Sequence, residues 1–394
     1  GSAGTTCAYE IRKLNKDVEI TILEKSNYTE YSPCALPYVL SGEIKSLEDI
    51  TILGEDDYTK NNITLLLDSE VIDIDKKKRK ITYKNDEKRK NLNYDKLVIA
   101  TGSSAFLPPI PGMGDAEYHT LKTMDDAKYI SENIKENTSS VIIGGGLIGV
   151  ELALSLVRKK EKVTLIEAKE NIFSSILDSD IADRLKEYLK SEDIKIYEDQ
   201  TIKKIASRTI FLNDKNILFD KLFFCTGIRA NTSLAKKLGL DVDRAILVND
   251  KLQTSERNIF ACGDCVKSVE RNSGKKILSQ LGTSAVRQAK IIANNIISKK
   301  KKRFPSVMNN TITKIGDIFV GSVGLSVLKC KQFGLGVIFA KYTGNVCSEY
   351  YPSESKITIK LVCLADGKIV GGQIIGDEGV VGRIDIIALA IQKK

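Results

Sequence analysis

The chain has 394 residues, of which 42% are hydrophobic and 28% are charged. This balance is typical of a folded globular protein and excludes a disordered or collagen-like chain. The net charge is +9, from 60 basic and 51 acidic residues, and a diffuse positive field favours phosphate-bearing ligands. The single histidine, His119, argues against a histidine-rich metal site and a Ser–His relay, so no metal is expected. The eight cysteines, in a sequence where no secretory leader is recognised, favour a cytoplasmic protein.

Neither nucleic acid nor a membrane is an expected partner. The densest basic run, residues 299–303, follows an apolar helical pattern and precedes Pro305. A solvated helix end explains it better than a nucleic-acid patch. The longest apolar stretch, residues 141–157, contains four glycines and Glu151. It is also shorter than the ~20 residues that a membrane-spanning helix needs.

The first segment, residues 1–115, opens with a helical pattern over residues 5–14. A proline- and glycine-rich cluster at residues 108–112 is a strong break. Strands are predicted near residues 19–23, 64–67, 71–74, 80–83 and 97–100.

The second segment, residues 116–240, repeats this organisation. A strand at 141–143 leads into a glycine-rich turn, a helix at 147–159 and a strand at 163–166. A later strand, 222–225, ends in a Thr-Gly pair like the one that ends the first segment's last strand. Such duplicated βαβ units predict two parallel-sheet dinucleotide-binding domains.

The remaining chain divides in two. Residues 241–304 carry a strand at 258–264 and a long helix at 279–298, and we assign them to the first domain. Residues 305–394 alternate strands, near 355–364 and 368–375, with a last helix from about Gly382. The predicted fold class is therefore α/β: two Rossmann-like dinucleotide-binding domains, residues 1–115 with 241–304 and residues 116–240, plus a C-terminal α+β domain.

The clearest motif is the glycine-rich turn at residues 144–149. The first glycine allows the tight turn, the second lets the backbone approach a pyrophosphate, and the third lets helix and strand pack closely. The phosphates would bind the helix N-terminus. Glu167, which ends the next strand, is expected to accept a hydrogen bond from the adenosine ribose 2′-hydroxyl, so NADH is preferred over NADPH. A plain glycine-rich turn and an exposed strand-end carboxylate are the less favoured alternatives.

The first repeat is cut short. Gly1, Ser2, Ala3 and Gly4 match the last four positions of a second such motif, and Glu24 is its acidic partner at a strand end. We therefore expect a longer natural protein, in which a β-strand and the motif's first glycine precede this chain.

Two dinucleotide folds in one chain predict two dinucleotides, and FAD with NADH is the economical pair. The strand at residues 258–264 then places Asp264 against the ribityl chain of the flavin. Cys262 and Cys265 form a CxxC pair, but no second ligand pair lies nearby in the sequence. A redox or zinc role for this pair is therefore disfavoured.

Cys34 is the candidate reactive residue. Ser32 as N-cap and Pro33 as the first helical residue place it in the first turn of a short helix. There the helix dipole lowers the pKa of a thiol. Pro37 is expected to end or kink this helix early. Val39 stands five positions after Cys34, so no C-x4-C disulfide is expected, and a buried structural cysteine is the less favoured alternative.

Together these residues resemble the pyridine nucleotide-disulfide oxidoreductases over essentially the whole chain. Residues 6–12 and 34–38 are similar to the single-cysteine branch, which comprises coenzyme A-disulfide reductases, polysulfide reductases and NADH oxidases. Further matches are residues 100–102, 226–232 and 384–385. The resemblance implies an FAD domain interrupted by an NAD domain, a C-terminal dimerisation domain and a homodimer.

The resemblance also implies roles for individual residues. The catalytic residue is Cys34. The FAD-binding residues are Gly1, Ser2, Ala3, Gly4, Glu24, Lys25, Val71, Ala100, Thr101, Gly102, Asp264 and Ala285. The NAD-binding residues are Gly144, Gly145, Gly146, Leu147, Ile148, Gly149, Glu151, Glu167 and Gly227. The residues on the coenzyme A side are Thr6, Glu10, Lys13 and Ser32.

Some positions depart from the family pattern. Ser2 stands where peroxidase and oxidase members carry histidine, which disfavours a peroxide-type site. Glu30 and Pro33 stand where the reductases commonly have serine and asparagine, in the region of the coenzyme A contacts. Family members also continue beyond the equivalent of Lys394, so the third domain is expected to be truncated at its C-terminus.

The mechanism that the resemblance implies is a two-step relay. NADH reduces the flavin, and the Cys34 thiolate attacks a small disulfide such as coenzyme A disulfide, or a polysulfide. In the oxidase alternative, oxygen is the acceptor and Cys34 cycles through a sulfenic acid. A third alternative is an electron-transfer flavoprotein that reduces a protein partner without using Cys34.

Overall fold

The computed structural model describes residues 1–348, 350–352 and 355–393. Lys394, the last residue of the predicted third domain, lies outside the described residues. Up to residue 133 the elements are α1 (Ser2–Leu14), β1 (Thr21–Leu23), α2 (Leu36–Ser41), α3 (Glu55–Lys60), β2 (Thr64–Leu66), β3 (Glu70–Asp75), β4 (Lys80–Asn85), β5 (Lys88–Asn93), β6 (Leu97–Ile99), β7 (Ser103–Ala105) and α4 (Met124–Asn133).

The central part of the chain carries the glycine-rich turn. Its elements are β8 (Ser139–Ile143), α5 (Leu147–Arg158), β9 (Lys162–Ile166), α6 (Ser179–Ser191), β10 (Lys195–Tyr197), β11 (Lys204–Ala206), β12 (Thr209–Phe211), β13 (Asn216–Leu218), β14 (Lys221–Phe224), β15 (Ile228–Ala230) and α7 (Ser233–Lys237).

The last part begins with two strands that flank the predicted ribityl-binding segment. Its elements are β16 (Ile259–Ala261), β17 (Lys267–Val269), β18 (Lys276–Leu278), α8 (Gly282–Ile297), β19 (Thr311–Ile315), β20 (Ile318–Gly324), α9 (Val327–Phe333), β21 (Val337–Asn345), β22 (Lys356–Leu364), β23 (Ile369–Gly376) and α10 (Val380–Lys393).

The helix at the start of the chain is longer than its apolar pattern predicts. It begins at Ser2 rather than near residue 5, because the Thr5 N–H donates to the Gly1 carbonyl at 3.1 Å. Its buried face, including Ala3 and Cys7, packs against α8 through Ala285. This contact joins the two sequence segments, 1–115 and 241–304, that we assigned to one domain.

The central sheet is parallel, in the order β10-β9-β8-β14. Ile143 at the end of β8 lies opposite Ile166 of β9 and Phe224 of β14. The carboxyl ends of these strands therefore meet at one edge, where ligands bind in open α/β sheets. β6 and β16 also pair in parallel, with Ile99 opposite Ala261, so their carboxyl ends meet in the same way.

The C-terminal part is a five-stranded antiparallel sheet in the order β19-β20-β23-β22-β21, covered by α10. It shares a hydrophobic core with the rest of the chain. Leu36 of α2, Leu152 of α5 and Val320 of β20 belong to one buried cluster. The segment that carries Cys34, the helix after the glycine-rich turn and the last sheet are therefore packed on one another.

Among the described residues, no helix combines the length and apolar character needed to cross a membrane. The basic run after α8, residues 299–303, contacts the C-terminal end of that helix and its surroundings. The Lys301 ammonium donates to the carbonyls of Asn295 and Ser298, and Arg303 pairs with Asp250 at 3.2 Å.

Candidate active site

The glycine-rich turn follows β8 and opens α5. Gly144 has a φ of +109°, a conformation that glycine adopts readily. A Cβ on Gly149 would lie 2.0 Å from the Gly144 carbonyl oxygen, so only glycine lets α5 pack this closely on the turn. Leu147 and Ile148 form the first turn of the helix and pack against the shared core.

Gly146 leaves an open space at the N-terminus of α5. It is the N-cap residue, and a Cβ placed on it would meet no atom within 4 Å. The helix N-terminus carries unsatisfied N–H groups and a partial positive charge, which suit a phosphate. The structure therefore has the opening that a dinucleotide pyrophosphate requires.

Glu167 lies directly beside this turn. Its Oε2 accepts a hydrogen bond from the Gly145 N–H at 2.7 Å, and its Oε1 accepts one from the Lys169 N–H at 2.9 Å. The side chain remains partly exposed, and each oxygen has a second lone pair for a further donor. Gly227, which follows β14, also has a positive φ of +98° at the same sheet edge.

The remnant of the first motif meets the segment that contains Asp264. A Cβ on Gly263 would lie 3.0 Å from the Ala3 Cβ and 3.9 Å from the Ala285 Cβ. The Gly1 amino group lies 3.5 Å from Glu24 Oε2. The start of α1, the end of β1 and the turn after β16 therefore converge.

The Asp264 carboxylate lies where these three elements meet, and its side chain is partly exposed. It accepts a hydrogen bond from Ser103 Oγ at 2.8 Å, and Lys122 Nζ lies 4.0 Å away. Sequence reasoning did not find Ser103 or Lys122. Neither residue belongs to a recognisable motif, and only the fold brings them to Asp264.

Other residues predicted to bind FAD lie around the edge where the carboxyl ends of β6 and β16 meet. Thr101 Oγ1 donates to the Asn231 carbonyl at 2.8 Å, and Gly102 has a φ of +62°. A Cβ on Gly4 would lie 3.5 Å from Ala100. Farther along, the Lys25 ammonium pairs at 2.8 Å with Glu70, the neighbour of Val71 in β3, and Ser2 occupies the first position of α1.

Cys34 lies in a 3-10 helix, Pro33–Ala35, that runs directly into α2. Ser32 is the N-cap residue as predicted, but its hydroxyl makes no capping hydrogen bond. The expectation that Pro37 ends or kinks the helix was wrong. Pro37 is in the first turn of α2, where a missing N–H costs nothing because that group has no partner within the helix.

The expected low pKa of Cys34 was also wrong in direction. The side chain is reached by solvent, yet desolvation by surrounding protein atoms raises its thiol pKa. The Glu151 carboxylate raises this pKa further, Lys122 lowers it and Asp264 raises it. Three residues of 3-10 helix align too few peptide dipoles to outweigh burial and two carboxylates.

Glu151 lies on α5, one of the predicted NAD-binding residues, but its carboxyl group is turned toward the cysteine segment. Its Oε1 accepts a hydrogen bond from Thr313 Oγ1 at 2.8 Å, and Tyr38 also bonds to it. Burial raises the pKa of Glu151 to about 7, while these two hydroxyls lower it. Sequence reasoning missed both Tyr38 and Thr313 as neighbours of the carboxylate.

Three of the four residues predicted for the coenzyme A side share one face of α1, and the fourth, Ser32, precedes the helix of Cys34. Thr6, Glu10 and Lys13 follow each other at spacings of four and three, and Lys13 pairs with Glu10 at 3.0 Å. Arg12 does not join them. Its guanidinium donates to the carbonyls of Asn61 and Asn62, so it is a structural link to the end of α3.

The CxxC pair is buried and unpaired. Cys262 and Cys265 are free cysteines, and the Cys265 thiol contacts the Cys262 carbonyl. Burial raises the pKa of Cys265 to about 11. In the described part of the chain, no three histidine, cysteine, aspartate or glutamate side chains cluster as a metal site.

Comparison with known proteins decides the family. Residues 1–289 match the family described as pyridine nucleotide-disulphide oxidoreductase, and residues 311–394 match its dimerisation domain. The chain belongs to the pyridine nucleotide-disulphide oxidoreductase family. The resemblance stated from the motifs and the predicted fold class are thereby confirmed.

Relatives with assigned names cover almost the whole chain. An NADH oxidase of Methanocaldococcus jannaschii is 38% identical over 100% of this chain and 90% of its own length. A CoA-dependent NAD(P)H sulfur oxidoreductase of Pyrococcus furiosus is 29% identical over 99% of this chain and 89% of the relative. The solved structure of a NAD-dependent persulfide reductase from A. fulgidus aligns with a TM-score of 0.96 and 30% identity, covering 100% of this chain and 75% of that one.

Membership establishes the class of enzyme. This family member is an NAD(P)H-dependent oxidoreductase that uses a flavin together with the pyridine nucleotide. The dimerisation domain supports a homodimer. Consistent with such an interface, the C-terminal part exposes large apolar side chains on β21 and α10, including Phe339, Tyr342, Ile386 and Leu389.

Proposed function

We propose that the flavin is FAD and that it binds between the start of α1 and the turn after β16. The first motif remnant, Glu24 and Asp264 converge there, with Ala285 packed behind Gly263. When bound, FAD accepts two electrons as hydride from a nicotinamide and delivers them to a nearby acceptor. The N-terminus of α1 suits its pyrophosphate, and Asp264 suits the hydroxyls of its ribityl chain.

We propose that NADH binds at the glycine-rich turn. The opening at Gly146 would hold the pyrophosphate, and Glu167 would accept from the ribose 2′-hydroxyl. Glu167 already fixes the turn through the Gly145 N–H, so the residue that selects the ribose is also the one that orders the phosphate site.

The acceptor that the site supports best is a small disulfide or polysulfide. The observation that carries this proposal is the position of Cys34. It is reached by solvent, yet it interacts with Lys122 and Asp264, and Asp264 belongs to the proposed flavin site. The Cys34 thiolate attacks one sulfur of the substrate, the S–S bond breaks, and one thiolate leaves. Two electrons from NADH then release the second thiolate and restore Cys34.

Coenzyme A disulfide is the proposed substrate among small disulfides, with polysulfide as its close alternative. Thr6, Glu10 and Lys13 line one face of α1, and the Ser32 hydroxyl makes no capping bond. Lys13 is well exposed and can meet a phosphate. The CoA-dependent sulfur oxidoreductase among the relatives supports this assignment.

Replacement of the cysteine tests the proposal. Cys34→Ser should keep bound FAD and should still be reduced by NADH, because neither step uses sulfur. It should lose reduction of coenzyme A disulfide, because a serine hydroxyl is too basic to be a nucleophile at neutral pH. The matched control is Cys347→Ser, which removes the other exposed cysteine and should reduce the disulfide at the wild-type rate.

Each outcome of this experiment has a defined meaning. If the full-length protein, with the strand expected before Gly1, is colourless and takes up no flavin on reconstitution, the FAD assignment is wrong. If Cys34→Ser reduces coenzyme A disulfide as fast as the wild type, Cys34 is structural. An electron-transfer role toward a protein partner is then the better function.

An NADH oxidase is the second candidate, because the M. jannaschii relative with 38% identity carries that name. In this case oxygen is the acceptor, and Cys34 cycles through a sulfenic acid that NADH-derived electrons reduce to thiolate and water. Cys34→Ser would then consume NADH and oxygen but release hydrogen peroxide. Peroxide release by the variant, with no disulfide reductase activity in the wild type, selects this candidate.

We further propose that the enzyme is a cytoplasmic homodimer. All eight cysteines are free, as expected in a reducing compartment. Cysteine-based disulfide reduction also requires that Cys34 be kept from stable oxidation, which a reducing cytosol provides.

A further inference from the structure

The loop that precedes α6 connects the glycine-rich turn with the C-terminal part of the chain. We call residues 172–178 of this loop the strap. At one end, the Phe173 N–H donates to the Gly145 carbonyl at 2.7 Å. A Cβ on Gly145 would lie 2.6 Å from Ile172 Cγ2, so the strap also packs directly on the turn. Since the Gly145 N–H donates to Glu167, the segment from Glu167 to the strap holds both backbone polar groups of Gly145.

The other end of the strap is Asp178, which is buried in a contact with the C-terminal part. Its backbone N–H donates to Gln373 Oε1 at 2.9 Å, and Gln373 Nε2 donates back to Asp178 Oδ2 at 3.0 Å. The same carboxylate accepts from the Val327 and Leu328 N–H groups at 3.1 and 3.3 Å, and it pairs with Lys360 at 3.1 Å. This single residue therefore joins the strap to β22, β23 and the start of α9.

The Asp178 carboxylate makes these contacts instead of capping its own helix. Asp178 is the N-cap residue of α6, a position where aspartate commonly accepts a hydrogen bond from the first turn. No such bond is present, and the carboxylate accepts from two N–H groups of α9. Capping of α6 therefore does not explain this side chain, whereas the contact with the C-terminal part does.

The strap between these two ends is a single stiff turn with little support at its middle. The Ile176 and Leu177 N–H groups both donate to the Phe173 carbonyl at 2.8 Å. Ser175 is exposed, and together with Ile176 it borders a cavity of about 120 Å³ against β20 and α9. Phe173 has a φ of +57°, which residues other than glycine seldom adopt. Such a conformation persists only where the surroundings fix it, so the position of the strap depends on its two ends.

We propose that Asp178 is a positioning residue for the pyridine nucleotide, acting through the strap on the glycine-rich turn. The Gly145 carbonyl and the Gly146 N–H belong to one planar peptide. When Phe173 holds the carbonyl, it also orients the Gly146 N–H at the N-terminus of α5. The inference rests on the proposed function, in which the pyrophosphate of NADH binds at this N-terminus.

The anchor should affect binding of the nucleotide rather than the reaction that follows. Release of Asp178 lets the strap shift toward the cavity, and the Gly146 N–H turns with it. A misdirected donor weakens a hydrogen bond to phosphate steeply. The proposed flavin site, around Asp264, and Cys34 lie on other elements, so they should be unaffected.

The first test measures binding of NAD⁺ to the oxidised full-length holoenzyme by calorimetry. NAD⁺ carries the same pyrophosphate as NADH and does not reduce the flavin. Asp178→Ala should weaken this binding by about tenfold, a typical size for coupling between distant parts of a protein. The rate of flavin reduction at saturating NADH and the FAD content should remain close to those of the wild type.

Hydrogen–deuterium exchange of the strap gives a second readout that needs no nucleotide. In Asp178→Ala, the N–H groups of Phe173, Ile176 and Leu177 should exchange faster, because local opening no longer breaks the contacts of the anchor. Binding of NAD⁺ to the wild type should slow exchange in the same peptide, since coupling between two sites is reciprocal.

Two further variants separate positioning from general stability. Asp180→Ala is the matched control, because Asp180 pairs with the same Lys360 at 2.7 Å, and in either variant Lys360 keeps one carboxylate. This control should keep the wild-type NAD⁺ affinity and strap exchange. Gln373→Met removes the contact from the side of β23 and should weaken NAD⁺ binding as Asp178→Ala does. Unchanged far-UV circular dichroism shows that each variant is folded.

Wild-type NAD⁺ affinity in Asp178→Ala, or wild-type exchange of its strap, overturns the proposal. An equal loss of affinity in Asp178→Ala and Asp180→Ala also overturns it, because the loss would then follow from destabilisation alone. A wild-type holoenzyme that binds no NAD⁺ would instead overturn the proposed nucleotide site.

Discussion

At the scale of single residues, Glu151 and Glu167 differ in their exposure and in the groups that donate hydrogen bonds to their carboxylates. Glu167 receives two backbone N–H donors, from Gly145 and Lys169, and remains partly exposed. Glu151 is half-buried and accepts a hydrogen bond from the Thr313 hydroxyl, and desolvation by the surrounding protein raises its pKa to about 7. Hydrogen bonds from backbone N–H groups favour an ionised carboxylate, whereas burial disfavours it. Glu167 is thus held beside the glycine-rich turn, whereas Glu151 is suited to a change of charge near neutral pH.

The position of Glu167 beside the glycine-rich turn leads to a prediction of cofactor preference. A nucleotide with a 2′-phosphate next to this carboxylate should bind more weakly by ~1–3 kcal/mol, the penalty for leaving a charged group without a partner. The wild type should therefore prefer NADH by about ten- to hundred-fold in kcat/KM. Glu167→Gln should narrow the preference mainly by improving use of NADPH.

Steady-state kinetics with both nucleotides check this prediction. Glu170→Gln is the control, since Glu170 is an exposed carboxylate three residues farther along the same loop, and it should keep the wild-type ratio. Equal or better kcat/KM with NADPH in the wild type would show that Glu167 does not select the ribose. In that case Lys169 is the first residue to examine as a phosphate ligand.

At the scale of elements, two glycines in the turn between β8 and α5, Gly146 and Gly149, have different roles. Gly149 is required for packing, because a Cβ would lie 2.0 Å from the Gly144 carbonyl oxygen. Gly146 is not required for packing, because its Cβ would meet no atom within 4 Å. The space at Gly146 is instead kept open for a ligand.

The pair of alanine variants tests this distinction. Gly149→Ala should lower the free energy of unfolding by about 1–3 kcal/mol, as overpacking does in other cores. Gly146→Ala should unfold at the wild-type temperature but bind NADH more weakly. Thermal unfolding and equilibrium titration with NADH measure the two effects, and loss of stability in Gly146→Ala would refute the division.

At the scale of the whole molecule, a buried charge cluster ties the central part of the chain to the C-terminal sheet. Lys360 of β22 is 3% exposed and pairs with Asp178 at 3.1 Å and with Asp180 at 2.7 Å. Asp178 also accepts from the Gln373 amide and from the backbone N–H of Val327. These contacts connect the start of α6 with β22, β23 and α9.

Removal of one member of this cluster should be strongly destabilising. Lys360→Met leaves Asp178 buried without its cation, and breaking such a pair costs about 3–5 kcal/mol. Lys341→Met removes an exposed lysine, 40% accessible, that lies 3.5 Å from Asp180. An exposed pair contributes about 0–1 kcal/mol, so this control should barely change stability.

Urea denaturation of the two variants gives the comparison. If Lys360→Met is as stable as Lys341→Met, the cluster does not hold the two parts together. The pKa of Asp180 is lowered, an effect to which Lys360 contributes most. Its share of the stability is therefore present above its ordinary pKa and is lost as pH falls through the lowered one.

Local patterns in the sequence were sufficient for the repeated βαβ units, the glycine-rich turn and the glutamates that follow the strands, while the choice of Cys34 as the reactive residue stays a prediction. Each of these depends on neighbouring residues: the glycine spacing sets one tight turn, and apolar periodicity sets a strand or a helix. Together they led to the family that the comparisons confirm.

The tertiary structure alone decided the electrostatics of the site. The sequence predicted a lowered pKa for Cys34 from one helix end, whereas the folded chain raises it through burial and Glu151, which stands far away in the sequence. Thr313 and Tyr38 likewise gain their positions only from the packing of α2, α5 and β19, and only the fold brings Lys122 to Asp264. Charges act through space at distances set by the whole fold, so no local pattern could have predicted how they combine at the cysteine.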